Sequence, residues 1–347
     1  MTGGEYGEGE GKLSGKRIVL FKKVMALEEV EEVPVIPTVT RWVARFSGIP
    51  LKEFLFDPEA IVKAQIEAQA AVGFDAFFAY VDGLHIPEAF GCPLLFLSSG
   101  VDVASLDIQN EKDVEELPAP NIRKDGRLPL ILSVVEKLVR FHKREVPVLS
   151  LFEGPFTTTS RILGTEKMMR ALFKNRPMVE KMLEKVSQVL SRFGHALVEA
   201  GIDGLIIADP VSSSTMISPK FYREFVLPQL QRLIKDLEIP VILHVCGDTQ
   251  PILHFMAETG AKILSLDQCM DLALAKETLG GRCGIGGNVD PIRVLLLGTP
   301  EDVKRETLRC LRQGGKKGYL LMAGCGVPPD TPIENLKAMV EVARCPS

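Results

Sequence analysis

From about residue 33 onward, short apolar runs alternate with longer stretches in which apolar positions return every three or four residues. The short runs suit strands buried on both faces. The longer stretches suit helices packed along one stripe. Candidate strands span 33–39, 76–82, 146–153, 204–210, 240–246, 262–267, 282–288 and 317–325. The clearest helical stretches are 58–72, 128–143, 165–200, 218–237, 299–312 and 331–343. Four start signals, Asp57-Pro58, Ser218-Pro219, Thr299-Pro300 and Thr331-Pro332, put a capping side chain before a proline. The cap accepts from the first free N–H groups, and proline there gives up a donor that has no helical partner.

Eight strand–helix repeats predict an α/β fold, a (β/α)8 barrel. The same alternation is compatible with an open doubly wound sheet. The count of eight, with no GxGxxG opening a helix, favours the barrel. The stretch from about 84 to 125 has weak strand signals, Leu94-Leu-Phe-Leu and Val101-Asp-Val, and reads as an excursion over one barrel face. The expected organisation is a flexible, Gly-rich acidic tail at 1–24 and one barrel domain at 25–347, with no internal repeat and no linker.

Composition narrows the function classes. At 46% hydrophobic and 25% charged residues over 347 positions, the chain is ordinary globular material. A net charge of -4 provides no basic field for nucleic acid or anionic membranes. No apolar run approaches the roughly 20 residues that span a bilayer. The N-terminus lacks the basic and apolar regions of a signal peptide. Seven cysteines without a CxxC pair predict free thiols in a reducing cytoplasm rather than a disulfide framework or zinc ribbon.

Barrel active sites lie at the C-terminal ends of the strands. The residues expected there include Tyr80, Asp82, Glu153, Asp209, His244, Cys246, Asp267, Asn288 and Cys325. His244 and Cys246 are two apart on one strand and share a face. With Cys325 from another strand end they offer one imidazole and two thiols. That is three zinc ligands with an open fourth position, the pattern of a catalytic site. Such a metal holds a substrate thiol as thiolate. Asp267 is either a fourth ligand or an acceptor for the His244 N–H. Core packing is the competing explanation for a lone His-x-Cys, since free cysteine is among the most buried residue types. Tyr80, Asp82, Asp209 and Asn288 are candidate substrate contacts. Arg41 and Arg45, four apart, either hold an anionic group or are ordinary surface arginines.

Val33-Pro-Val-Ile-Pro, Gly154-Pro-Phe-Thr, Ala208-Asp-Pro, His244-Val-Cys-Gly, Gly287-Asn-Val-Asp-Pro and Gly324-Cys-Gly-Val-Pro-Pro-Asp-Thr-Pro-Ile-Glu-Asn together resemble the uroporphyrinogen decarboxylase superfamily. The chain looks most like its corrinoid-dependent methyltransferase branch, which includes methylcobamide:coenzyme M methyltransferases. The resemblance implies a (β/α)8 barrel and a zinc held by His244, Cys246 and Cys325, with Asp267 able to complete the shell. It also implies methyl transfer between the cobalt of a corrinoid (cobalamin) on a separate small protein and a thiol or oxygen nucleophile. Coenzyme M as acceptor and an aryl methyl ether as donor both fit. The true decarboxylases use no metal and meet substrate carboxylates with an arginine pair whose spacing Arg41 and Arg45 keep. Uroporphyrinogen decarboxylation is therefore the rival activity, and a non-catalytic subunit that binds the corrinoid protein is a third possibility.

Overall fold

The structure, a computed structural model, describes residues 15–97, 100–142 and 145–345. Strands β1 (Phe77–Ala79), β2 (Leu94–Leu97), β3 (Gly100–Val103), β4 (Val148–Glu153), β5 (Gly204–Ala208), β6 (Val241–Val245), β7 (Ile263–Leu266), β8 (Gly284–Val289) and β9 (Tyr319–Ala323) follow one another along the chain. Seven form one sheet in the order β1-β4-β5-β6-β7-β8-β9, each neighbouring pair parallel. Helices connect them on the outside, as parallel crossovers require.

The first expected strand, 33–39, is not a regular strand. Val35 makes a single parallel bridge to Leu321 of β9. Leu321 N donates to Pro34 O at 3.0 Å and Ile36 N to Leu321 O at 2.9 Å, while on the other side Asp75 N donates to Val35 O at 3.0 Å. The segment therefore closes the gap between β9 and the approach to β1. Pro34 and Pro37 have no N–H to continue a ladder, which is why this eighth stave is irregular. The architecture is a TIM-like barrel with seven regular strands.

Three of the four expected caps form. Asp57 accepts from Glu59 N, Ser218 from Phe221 N, and Thr299 with Asp302 makes a reciprocal capping box. The fourth does not: the last helix starts at Ile333, and the Thr331 carbonyl instead accepts from Trp42 Nε1 at 2.8 Å. The stretch 165–200 breaks into Thr165–Lys174 and Arg176–Ala200, because Pro177 cannot donate into a continuing helix. The stretch 218–237 carries a π-helical segment, Tyr222–Val226, ahead of Pro228.

The expected tail is too long. Residues 1–14 of it lie outside the described residues, but Lys16–Met25 is a helix that buries Ile18, Leu20, Phe21, Val24 and Met25. Those apolar positions give it a core-facing stripe. The excursion forms as an antiparallel β2–β3 hairpin flanked by the short helices His85–Ala89 and Glu111–Glu116. Among the described residues no helix is long and apolar enough to cross a membrane.

Candidate metal centre

The C-terminal ends of β6, β7 and β9 meet on one floor of the barrel. His244 lies in register between Ala208 of β5 and Ser265 of β7. Its Nδ1–H donates to the Ser265 carbonyl at 3.1 Å, which leaves the Nε2 lone pair facing the thiols. Nε2 lies 3.2 Å from Cys246 Sγ, and the two sulfurs of Cys246 and Cys325 are 3.8 Å apart. All three donor atoms lie within 4.8 Å of one another. A backbone acceptor on the far ring nitrogen is the usual way a histidine ligand is oriented. The donor types, their number and the tautomer all fit zinc.

Local backbone makes this convergence possible. Gly247 turns the chain after Cys246 with φ 78°, a left-handed conformation that glycine adopts without strain. The Cys246 carbonyl accepts from Ser213 Oγ at 2.7 Å. Gly324 lets the end of β9 press against the loop after β7, where a Cβ would stand 2.4 Å from Gln268 N.

The cluster is electrostatically coupled. Hydrogen bonding from Cys246 and His244 pulls the Cys325 thiol well below its ordinary value. The Cys246 thiol goes the opposite way, raised by its bond to Cys325 and then by burial. Burial of the His244 ring opposes its charged form, yet the bond to Cys325 leaves its pKa raised. A cation bound by these three atoms would displace the protons they share.

Asp267 stands beside the cluster but outside its three donors. Its Oδ2 accepts from Gly247 N at 2.8 Å and its Oδ1 from Cys269 N at 3.0 Å. It ties down the loop that carries Cys246, and it does not accept from His244, whose Nδ1–H goes to Ser265. Cys269 is exposed and contributes nothing to the cluster.

The cluster opens into a cavity of about 180 Å³ lined also by Thr38, Thr40, Tyr80 and Glu153. Thr40, Tyr80 and Glu153 also line an outer cavity of about 350 Å³ that reaches Arg41, Asp102 and Arg161. Tyr80 and Arg41 thus line the route to the floor. Arg41 has no hydrogen bond or ion pair among the described residues, whereas Arg45 pairs with Asp330 at 3.0 Å.

The other three expected substrate contacts are engaged elsewhere. Asp82 edges the outer cavity but is held by a buried Arg127, whose two terminal nitrogens reach its oxygens at 2.7 and 3.1 Å. Asp209 is fully buried and accepts from Thr157 N and Thr157 Oγ1. Asn288 is fully buried too, donating to Asp267 O and Met270 O at 2.9 and 2.7 Å. Short polar side chains at strand ends serve loop anchoring as readily as substrate, and nothing local separates the two roles.

Glu153 and Arg161 are the residues that the sequence reading undervalued. Glu153 stood among the strand-end residues without a role, and its partner lies eight positions further on. A strand-end carboxylate followed two helical turns later by arginine is the signal that would have pointed to them.

The uroporphyrinogen decarboxylase (URO-D) family model matches residues 17–345. Methylcobamide:CoM methyltransferase MtbA of Methanosarcina acetivorans is 31% identical over 303 residues, 86% of this chain and 88% of that protein. A uroporphyrinogen decarboxylase of Thermus thermophilus is 31% identical over 306 residues, 85% of this chain and 86% of that protein. Among solved structures, a methyltransferase from Methanosarcina mazei superposes with a TM-score of 0.88 at 28% identity, covering 94% of this chain and 98% of its own. Matched nearly end to end by the family model, the chain belongs to the uroporphyrinogen decarboxylase (URO-D) family, and within it resembles the methylcobamide:coenzyme M methyltransferases.

Proposed function

We propose that this protein is a zinc-dependent methyltransferase. It moves a methyl group between the cobalt of a corrinoid carried by a separate protein and a thiol or oxygen nucleophile, with a coenzyme M-type thiol as the leading acceptor. The observation that carries this reading is the His244–Cys246–Cys325 donor set at the floor of an accessible cavity. The names of the methyltransferase relatives support the chemistry. Zinc held by these three residues would keep a substrate thiol deprotonated at neutral pH, and two cysteine ligands would leave it electron-rich.

The chain's own residues supply the rest. Ser265 O fixes the His244 ring, and Asp267 fixes Gly247 and through it Cys246. Leu151, Ile206, Ala208 and Met322 give the cavity an apolar wall that excludes water from the sulfur. The entry lined by Tyr80 and Arg41 would align the nucleophile with a methyl group presented from the mouth. Alignment of this kind is a large part of the rate of a bimolecular displacement.

The decarboxylase reading has a relative in its favour, but the residues do not follow. Arg45 is paired outside the cavity and Asp82 is locked by Arg127. Elemental mass spectrometry on the wild type and His244→Ala tests the proposal. About one zinc per chain, lost in the variant, is expected for a three-ligand site. Methyl transfer from methylcobalamin to coenzyme M should accompany the metal. No zinc after reconstitution, or zinc with no methyl transfer to any thiol or phenol, would sink it.

A further inference from the structure

Uptake of a thiol at the cluster frees a proton inside a walled cavity, and that proton needs an acceptor. Among the described residues Glu153 is the one carboxylate lining the cavity with the cluster. Asp267, Asp209 and Asp82 do not line that cavity. Glu153 also lines the outer cavity, so it has the inner floor on one side and the route to solvent on the other.

We propose that Glu153 is the proton acceptor for the incoming thiol and that Arg161 positions it. This rests on the methyltransferase reading. The S–H bond breaks, the proton passes to a Glu153 carboxylate oxygen, and the electron pair stays on sulfur for attack on the methyl carbon. The proton then leaves by the outer cavity.

The surroundings of Glu153 fit the role. Arg161 Nη2 donates to its Oε1 at 2.7 Å and Arg161 Nε to its Oε2, and Nη1 of the same arginine reaches Asp102 on the hairpin at 3.4 Å. Gly83 leaves the space the carboxylate occupies: a Cβ there would lie 2.5 Å from Glu153 Cδ. The charged and titratable groups around it are Arg161 from the following helix, Asp82 and Tyr80 from the end of β1, Asp209 from the end of β5, and Cys246 from the end of β6. Burial raises the Glu153 carboxyl to about 7, against the pull of Arg161 and with the help of Asp209 and Asp82. A base poised near the working pH both accepts and returns a proton readily.

The test is coenzyme M affinity against pH, by calorimetry on zinc-loaded wild type, Glu153→Gln and Glu153→Asp. From about pH 7 upward, over the range in which the bound thiolate keeps the transferred proton on Glu153, wild type binds with no net proton release and its affinity is flat with pH. Below that the carboxylate is already protonated, and affinity falls about tenfold per pH unit as each binding event releases a proton to solvent. Glu153→Gln has no internal acceptor and should show the tenfold slope across the whole range, while Glu153→Asp should keep the plateau. Infrared difference spectra of the wild type should gain a protonated-carboxyl band on coenzyme M binding just above pH 7, within that plateau, a readout that needs no variant. A plateau retained in Glu153→Gln, or absence of that band, overturns the proposal. Loss of zinc from Glu153→Gln overturns it as well, since the residue would then be a ligand. Zinc-loaded wild type that binds neither coenzyme M nor any other thiol or phenol at any pH refutes the methyltransferase reading itself, an outcome distinct from the others.

Discussion

Asp267 illustrates what one side chain does for a site it does not enter. Its two oxygens each receive one backbone N–H, from Gly247 and Cys269. In Asp267→Asn one of those N–H groups would face an amide NH₂, donor against donor, and the loop bearing Cys246 would shift. Outer supports of this kind change metal affinity by about 10–100-fold when removed. Competition with a chelator should find weakened but not abolished zinc binding, and unchanged affinity would refute the tether. Asp209 has a different consequence. Burial lifts its carboxyl from 3.8 to about 6, against the bonds from Thr157. The folded state therefore holds its proton more tightly than the unfolded chain. The stability it contributes is complete below about pH 4 and is lost as pH rises towards 6, at up to about 1.4 kcal/mol per pH unit. Denaturation of the wild type and Asp209→Asn between pH 4 and 6.5 should show that slope in their difference, and parallel curves would contradict it. The types of residue at strand ends were legible in the sequence, and so was the His-x-Cys pair with its distant cysteine. Whether Asp82, Asp209 and Asn288 face substrate or backbone was not, because their partners come from other elements: Arg127, Thr157, and the loop after β7.

At the scale of elements, period and punctuation carried most of the reading. Pro58–Val72 begins and ends where its cap and Gly73 place it. Three of the misreadings have a common origin: proline acts through the hydrogen bonds it removes, and their cost depends on what lies alongside. Pro177 split one helix, Pro34 and Pro37 left the eighth stave irregular, and Pro332 preceded its helix rather than starting it. Arg127 shows an element held by a contact that no local pattern predicts. At 3% side-chain exposure it pairs with Asp82 at the end of β1 and with Glu88 of the helix His85–Ala89. It thereby fastens the start of the excursion to the barrel. Arg127→Met removes the cation and leaves two carboxylates without compensation in a largely buried place. A broken buried pair costs about 3–5 kcal/mol, and a loss of that order is expected in urea denaturation. A loss under about 1 kcal/mol would mean that the pair is solvated like a surface one.

For the whole molecule, the two ends of the barrel do different work. The floor with the cluster lies at the C-terminal ends of the strands, and the helix Lys16–Met25 covers the opposite end. Phe21 from that helix is 1% exposed and packs on the start of β5, where a Cβ on Gly204 would come within 2.8 Å of its ring. Polar contacts fix the helix in place: Arg17 pairs with Asp75 at 3.1 Å, and Arg344 from the last helix reaches both Asp75 and Glu32 at 2.6 Å. First and last helices are thus joined through the carboxylate that also accepts from Val35 N, in the stave that closes the barrel. Phe21→Ala would empty this end. Its cost is the lost transfer energy plus the cavity left behind, about 3–5 kcal/mol for a buried aromatic. Residues at this end of a barrel serve stability rather than chemistry, so the two properties should separate. Under native conditions the variant should bind zinc as tightly as the wild type while unfolding at lower denaturant with an unchanged slope. If zinc affinity fell together with stability, the covering helix would be setting the geometry of the cluster through the strands, and the division of labour between the two ends would be wrong.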